Sequence, residues 1–351
     1  MSSESAIELG QHITALLTSG KRTTTYKFAL AMALMDYSIE HLPNDPKAPL
    51  TVSIKKLADY VIGYYWNQVD AYDEEVQHLF HGTGSNAAIP SWIRDFKKSH
   101  PQFSTAATAR EKSSDYAALG IKVARALAKF PITHLQTPLK ASTYSENILY
   151  TLPWPADKFS MPALNSCHWE ITLHPGVAWG FAHLSQLLRP FIELQWQHDI
   201  VRFNSTHLKT DRLNEFLWGA SRVNCAVLAP DLTELQAGRC FYCQKKLRSS
   251  DTHVDHVLPW SRFWIDGVSN LVAADMTCNI NKSDSLPIQE HVHGALSRDV
   301  NDLVSIATKR NFAVMLDSTK AVATNLYKIT PTGTPLWRAY KDDYQPHVTT
   351  A

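Results

Sequence analysis

The chain has 351 residues, 44% of them hydrophobic and 19% charged, with 34 basic side chains against 33 acidic. That length exceeds what one hydrophobic core usually serves, so more than one domain is expected, and the apolar content excludes large-scale disorder. The even charge excludes a polybasic, histone-like protein. It does not exclude a nucleic-acid partner, which needs a local positive groove rather than a basic average.

The opening MSSESAIELGQH lacks a basic segment followed by an apolar one, so no signal peptide is expected. The longest apolar run, Phe28 to Met35, is too short to span a bilayer. Together these predict a soluble, cytoplasmic protein. Residues 27–42 read as a buried helix ended by Pro43. Ser53 is placed to cap a second helix, with Ile54, Leu57, Val61 and Tyr65 on one face. Residues 82–114, rich in Gly, Ser, Thr and Ala, suggest loops around one short helix. The loop 81–86 bears glycines but lacks the Lys-Ser/Thr ending of a phosphate loop, so it reads as surface. A third amphipathic helix is expected over 115–130, closed by Pro131.

Between 144 and 173 short β-type runs replace the helical pattern, suggesting a hairpin or two edge strands. Residues 175–204 predict a long helix, kinked or broken near Pro190. A helical pair over 211–237, interrupted at Pro230, ends at Gly238, a natural left-handed cap. Beyond Pro287 come helices over roughly 288–311 and 318–328, then a Pro/Gly turn before Leu336 and Trp337. The predicted fold class is mainly α with a small α+β insert. Its expected domains are a mostly helical domain over 1–225 with a small β element near 144–173, a compact α+β module over 226–290, and C-terminal helices over 291–351 packed on the body.

The chemistry concentrates in residues 239–286. Asn270 follows His256 by 14 residues, Asn279 follows Asn270 by nine, and Asp255 directly precedes the histidine. An imidazole, with an unperturbed pKa of about 6.5, can take a proton from water at physiological pH. Asp255 should point to the opposite side of its strand, because successive side chains alternate. With the amide oxygen of Asn279 it makes an oxygen donor set suited to Mg²⁺ or Mn²⁺. A histidine at 279 would have favoured Zn²⁺ or Ni²⁺. Lys282 and Arg262 are candidate phosphate contacts.

Cys-Phe-Tyr-Cys at 240–243, Val-Asp-His-Val-Leu-Pro-Trp-Ser at 254–261, Ser-Asn-Leu-Val at 269–272 and Cys-Asn-Ile-Asn-Lys-Ser-Asp at 278–284 resemble the HNH endonucleases of the ββα-metal fold. The spacing is also similar to the HNH domain of RNA-guided CRISPR nucleases, which has Asn at the third position. The resemblance implies His256 as general base, Asp255 and Asn279 as metal ligands, and Asn270 as the residue holding the loop that orients His256. It covers about one-seventh of the chain. Many HNH proteins carry paired cysteines around a structural zinc. Here Cys240, Cys243 and Cys278 supply three thiols, with Asp275 where a fourth would stand and His253 as another candidate; small buried side chains without metal are the competing reading. Cys167 and Cys225 read as core residues. Arg94 to Lys98 is a small basic cluster of the kind that contacts a DNA backbone or simply faces solvent.

These readings lead to a metal-dependent endonuclease acting on DNA, with RNA as the other candidate. A setting in restriction or anti-phage defence, a partner protein of such a system and oligomerisation are further expectations. The alternative is a degenerate HNH scaffold that binds nucleic acid or a protein without cutting.

Overall fold

In chain order the helices are α1 (Ser3–Thr18), α2 (Tyr26–Glu40), α3 (Ile54–Gln68), α4 (Ala88–Ser99), α5 (Ala106–Lys112), α6 (Ser114–Leu127), α7 (Met161–Ser166), α8 (Val177–Phe203), α9 (Leu213–Trp218), α10 (Ala229–Leu235), α11 (Met276–Lys282), α12 (Gln289–Leu296), α13 (Val300–Arg310) and α14 (Leu316–Ile329). The strands are β1 (Leu50–Ser53), β2 (Tyr150–Thr151), β3 (Glu170–Leu173), β4 (Thr252–His256), β5 (Leu271–Asp275), β6 (Pro335–Trp337) and β7 (Tyr344–Pro346). This computed structural model describes residues 3–18, 22–74, 76–84, 87–136, 147–204, 208–219 and 224–348. The chain forms two compact units, Met1–Pro101 with Ser113–Gly219, and Gln102–Lys112 with Ala220–Ala351. The fold is mainly α, with small antiparallel sheets.

The first unit is built around α2, which is apolar on nearly every face and is therefore buried all round. It packs on α8 and α3. Ser53 caps α3 as its sequence suggests, its hydroxyl accepting from Lys56 N at 3.4 Å. Three short strands pair in the order β1-β3-β2, with Val52 opposite Ile171 and Tyr150 opposite Leu173. The strand β1 was not foreseen, because Leu50–Ser53 is too short to show a period.

Three expectations are corrected here. Residues 82–114 carry two helices, α4 and α5, rather than one. Pro90 lies in the first turn of α4, where its missing N–H leaves nothing unsatisfied, and Ile89, Ile93 and Phe96 bury one face. The break expected near Pro190 does not occur: the helix over 175–204 runs through the proline as α8, since Leu188, Ile192 and Trp196 are buried on either side of it and packing holds both halves. His81, assigned to a surface loop, is buried with its ring edge-on to Tyr65 at 5.1 Å. Residues 144–146 of the expected β segment, 85 and 86 of the expected loop, and 220–223 of the expected helical pair lie outside the described residues.

In the second unit β4 and β5 form an antiparallel pair, with His256 opposite Leu271 and Thr252 opposite Asp275, followed at once by α11. Gln236 extends this sheet. Its side chain accepts from Ala273 N at 2.8 Å and donates to Ala273 O at 2.7 Å, as a neighbouring strand would. Leu228, Leu232, Val268, Leu271, Ala273, Leu303, Ile306 and Phe312 make the core behind it. Lys112 of α5 joins this unit by donating to Ala307 O at 3.2 Å. A second hairpin, β6–β7, places the buried Trp337 edge-on to Tyr242 at 5.0 Å. No helix of the described residues is long and apolar enough to cross a membrane.

Candidate active site

Alternation along β4 sends Asp255 and His256 to opposite sides, and each meets a different set of partners. Asp255 is buried and accepts from the Tyr242 hydroxyl and from Lys282 Nζ at 3.0 Å. Burial, and then the charge of Asp255, pushes the Tyr242 phenol well up, so it remains a donor. The Lys282 ammonium also donates to His256 O at 2.7 Å. Lys282 is 0% exposed. Its placement at a phosphate is therefore corrected: the ammonium is spent inside the protein, tying α11 to β4. Arg262 is half-buried; burial lowers its pKa and the charge of Asp284 works against that shift.

On the other side His256 Nε2 pairs with Asp266 Oδ1 at 3.0 Å, with side-chain exposures of 14% and 11%. An Nε2–H donated to that carboxylate leaves Nδ1 as the basic nitrogen. Sequence reasoning missed Asp266, because an acid ten residues from a histidine in an irregular loop has no periodic signature. Gly267, next to it, approaches another segment closely: a Cβ there would lie 2.5 Å from Val314 O. That approach, with Val268 N donating to Ala313 O at 2.9 Å, holds Asp266 in place. Trp260 stacks on Trp264 at 5.5 Å and tilts toward the His256 ring at the same distance.

Asn270 is 1% exposed and clamps the intervening loop. Its Oδ1 accepts from Leu258 N at 2.8 Å, and its Nδ2 donates to Leu258 O at 3.1 Å and Ile265 O at 3.3 Å. Asn279, on α11, lies against β4 with its Nδ2 3.2 Å from His253 Nδ1. That contact uses the amide nitrogen and leaves the carbonyl oxygen for a cation. A carboxylate on β4 and an amide on α11 suit a hard cation in donor type, although Asp255 already shares its charge with Lys282.

Among the described residues, two groups of three His, Cys, Asp or Glu bring ligand atoms within 4.8 Å of one another: Cys240, Cys243 and Cys278, and Cys225, His256 and Asp266. In the first, a hydrogen bond from Cys278 and the backbone N–H groups of Asp275, Cys243 and Tyr242 lower the pKa of the Cys240 thiol, against the effect of burial, while that of the Cys278 thiol is raised in turn by its bond to Cys240. Asp275 is not gathered into this group. Its carboxylate caps α11, accepting from Thr277 N at 2.9 Å, while its backbone N–H donates to Cys240 Sγ at 3.3 Å. His253 faces Asn279 and does not join the thiols either. Cys225 belongs to the second group, not merely to the core. Burial, then the charge of Asp266, pushes its thiol up to about 12.

In the first unit, Arg94, Lys97 and Lys98 line a shallow cavity of about 330 Å³ with His78 and Asp70, and Lys97 pairs with Asp70 at 2.5 Å.

A family model described as HNH endonuclease matches residues 240–288. Another, described as a domain of unknown function (DUF8808), matches residues 5–217, the larger part of the chain. No curated protein and no solved structure matches the chain.

Proposed function

We propose that this chain, which belongs to the DUF8808 family and carries an HNH endonuclease domain, hydrolyses phosphodiester bonds of DNA with a divalent cation. The observation that carries the reading is the division of labour across β4, with a carboxylate-held histidine on one side and Asp255, with Asn279 on the adjoining helix, on the other. His256 takes the proton of the attacking water. Asp266 keeps the other ring proton on Nε2, orients the ring and stabilises the imidazolium that forms. Asn270 holds the loop between them. Asp255 and Asn279 would hold Mg²⁺ or Mn²⁺, which when bound supplies charge stabilisation for the pentacovalent transition state and the departing 3′ oxygen. The thiols of Cys240, Cys243 and Cys278 would hold a structural Zn²⁺ with a fourth ligand from outside the set expected in the sequence.

Supercoiled plasmid with Mg²⁺ is the direct test, with RNA as a parallel substrate. His256→Ala should lose roughly 100- to 10,000-fold in rate, the contribution of a general base. Equal rates for wild type and variant would sink the assignment. Fusion of a nuclease domain to a large domain without metabolic motifs supports a role in restriction or anti-phage defence. Phage plating on cells with and without the His256→Ala chain tests that role. A second reading draws on the Lys282 ammonium beside Asp255, which already balances the carboxylate: a scaffold that binds nucleic acid without cutting. Calorimetric Mn²⁺ titration separates the two readings, because only the nuclease should show a site lost in both Asp255→Ala and Asn279→Ala.

A further inference from the structure

We infer that Cys225, His256 and Asp266 form a second metal site, one that takes Zn²⁺ and thereby silences the catalytic histidine. A sulfur, a ring nitrogen and a carboxylate oxygen from these residues lie within 4.8 Å of one another, and the nitrogen–oxygen separation is 3.0 Å. Zinc bonds of about 2.0 Å to nitrogen or oxygen and about 2.3 Å to sulfur place tetrahedral ligands roughly 3.3–3.8 Å apart. Small side-chain movements are enough to admit the ion. The three groups share no member with the Cys240, Cys243 and Cys278 cluster, and Cys225 lies outside the residues matched as HNH endonuclease.

The donor set also selects the ion. Thiolate and imidazole favour Zn²⁺ over Mg²⁺, whose preferred ligands are oxygens, so this is not the hydrolytic cation under another name. Cys225 is 9% exposed, and the side chains of His256 and Asp266 are 14% and 11% exposed, which shelters the site while leaving it reachable. Three protein ligands leave one position for water, the arrangement of an open rather than a closed zinc site. Binding sends the Cys225 proton to solvent, as metal capture by a thiol requires.

The consequence rests on the reading of His256 as general base. A neutral imidazole has one lone pair and one N–H. Once the lone pair of one nitrogen is given to Zn²⁺, the proton must sit on the other, and no nitrogen remains to accept a proton from water. Asp266 is drawn to the metal at the same time and no longer orients the ring. Zinc at this site therefore competes with catalysis without occupying the place of Mg²⁺.

Two measurements test this on the full chain. Co²⁺, used as a visible probe for Zn²⁺, should give a thiolate-to-cobalt absorption component that is lost in Cys225→Ala and in Asp266→Asn, the second variant changing charge at nearly constant volume. Loss of a ligand should weaken that component at least about 100-fold, beyond the 10- to 100-fold cost of losing an outer partner. In plasmid cleavage with Mg²⁺, the ratio of rates with and without Zn²⁺, taken within each protein, should show strong inhibition of wild type and a shift of at least about 100-fold in the Zn²⁺ needed for Cys225→Ala. Superimposable cobalt spectra of wild type and Cys225→Ala, or equal sensitivity to Zn²⁺, overturn the proposal. If no protein cleaves, the nuclease reading fails, and the cobalt spectra still decide the metal site.

Discussion

The two units each contain a buried aspartate that accepts from a tyrosine hydroxyl and from a buried cation. In the first unit Asp36 of α2 meets Arg189 of α8 and Tyr64 of α3 at 2.7 Å; the aspartate and arginine side chains are 1% and 3% exposed. In the second, Asp255 of β4 meets Lys282 of α11 and Tyr242. Arginine offers a rigid planar fork and remains charged, which suits joining two packed helices. Lysine offers a compact ammonium with three donors, and Lys282 uses one on the backbone of His256 itself. The same trio thus joins two helices in one place and, in the other, ties α11 to the strand that carries His256. Burial and charge pairing alone therefore do not mark a carboxylate as part of the proposed active site.

Single substitutions should break the two trios with similar force. Arg189→Met and Lys282→Met each strand a buried carboxylate and should cost about 3–5 kcal/mol in urea unfolding. The difference appears on repair. Asp36→Leu combined with Arg189→Met should recover most of that stability, because a packed apolar pair often matches a buried ion pair. Asp255→Leu combined with Lys282→Met should recover stability without restoring plasmid cleavage. Recovery of cleavage in that second pair would mean Asp255 is only a brace.

Acid should act on the first unit through His81. Burial pushes His81 down to about 3, against 6.5 for a free imidazole. Between those values the unfolded chain takes up a proton that the fold refuses. The contribution of His81 is thus complete above pH 6.5 and is lost progressively as pH falls toward 3, at up to about 1.4 kcal/mol per pH unit. Urea midpoints at pH 7, 5 and 4 should fall less steeply in His81→Phe than in wild type; parallel slopes would contradict the buried neutral state.

Asn270→Ala leaves the N–H and C=O of Leu258 and the C=O of Ile265 without their side-chain partner, for an expected loss of roughly 2–3 kcal/mol. Cleavage should fall further than that stability loss explains, since the loop carries the approach to Asp266. The smallest effect belongs to Asp275→Ala, which removes the cap of α11 and should cost about 1 kcal/mol. Retention of bound Zn²⁺ in that variant, measured by metal analysis after dialysis, would agree with a metal site that does not use the carboxylate.

Local periodicity and punctuation made much of the helical pattern legible: α2, α3 and α6 follow from apolar spacing, Ser53 from its capping chemistry, and the order of β4, β5 and α11 from the short motifs between 239 and 286. Those signals are local because a helix or strand decides its own faces within a few residues. What meets each face was decided only by packing. Nothing within a few residues of Pro190 says that α8 continues through it, or that α5 joins the second unit. Nor does local sequence bring Cys225 and Asp266 to His256, or bury Lys282 beneath the strand instead of at a phosphate. Charge type and spacing name the chemistry available, whereas only the tertiary structure chooses the partner, because contact between distant segments depends on which surfaces the core leaves facing one another.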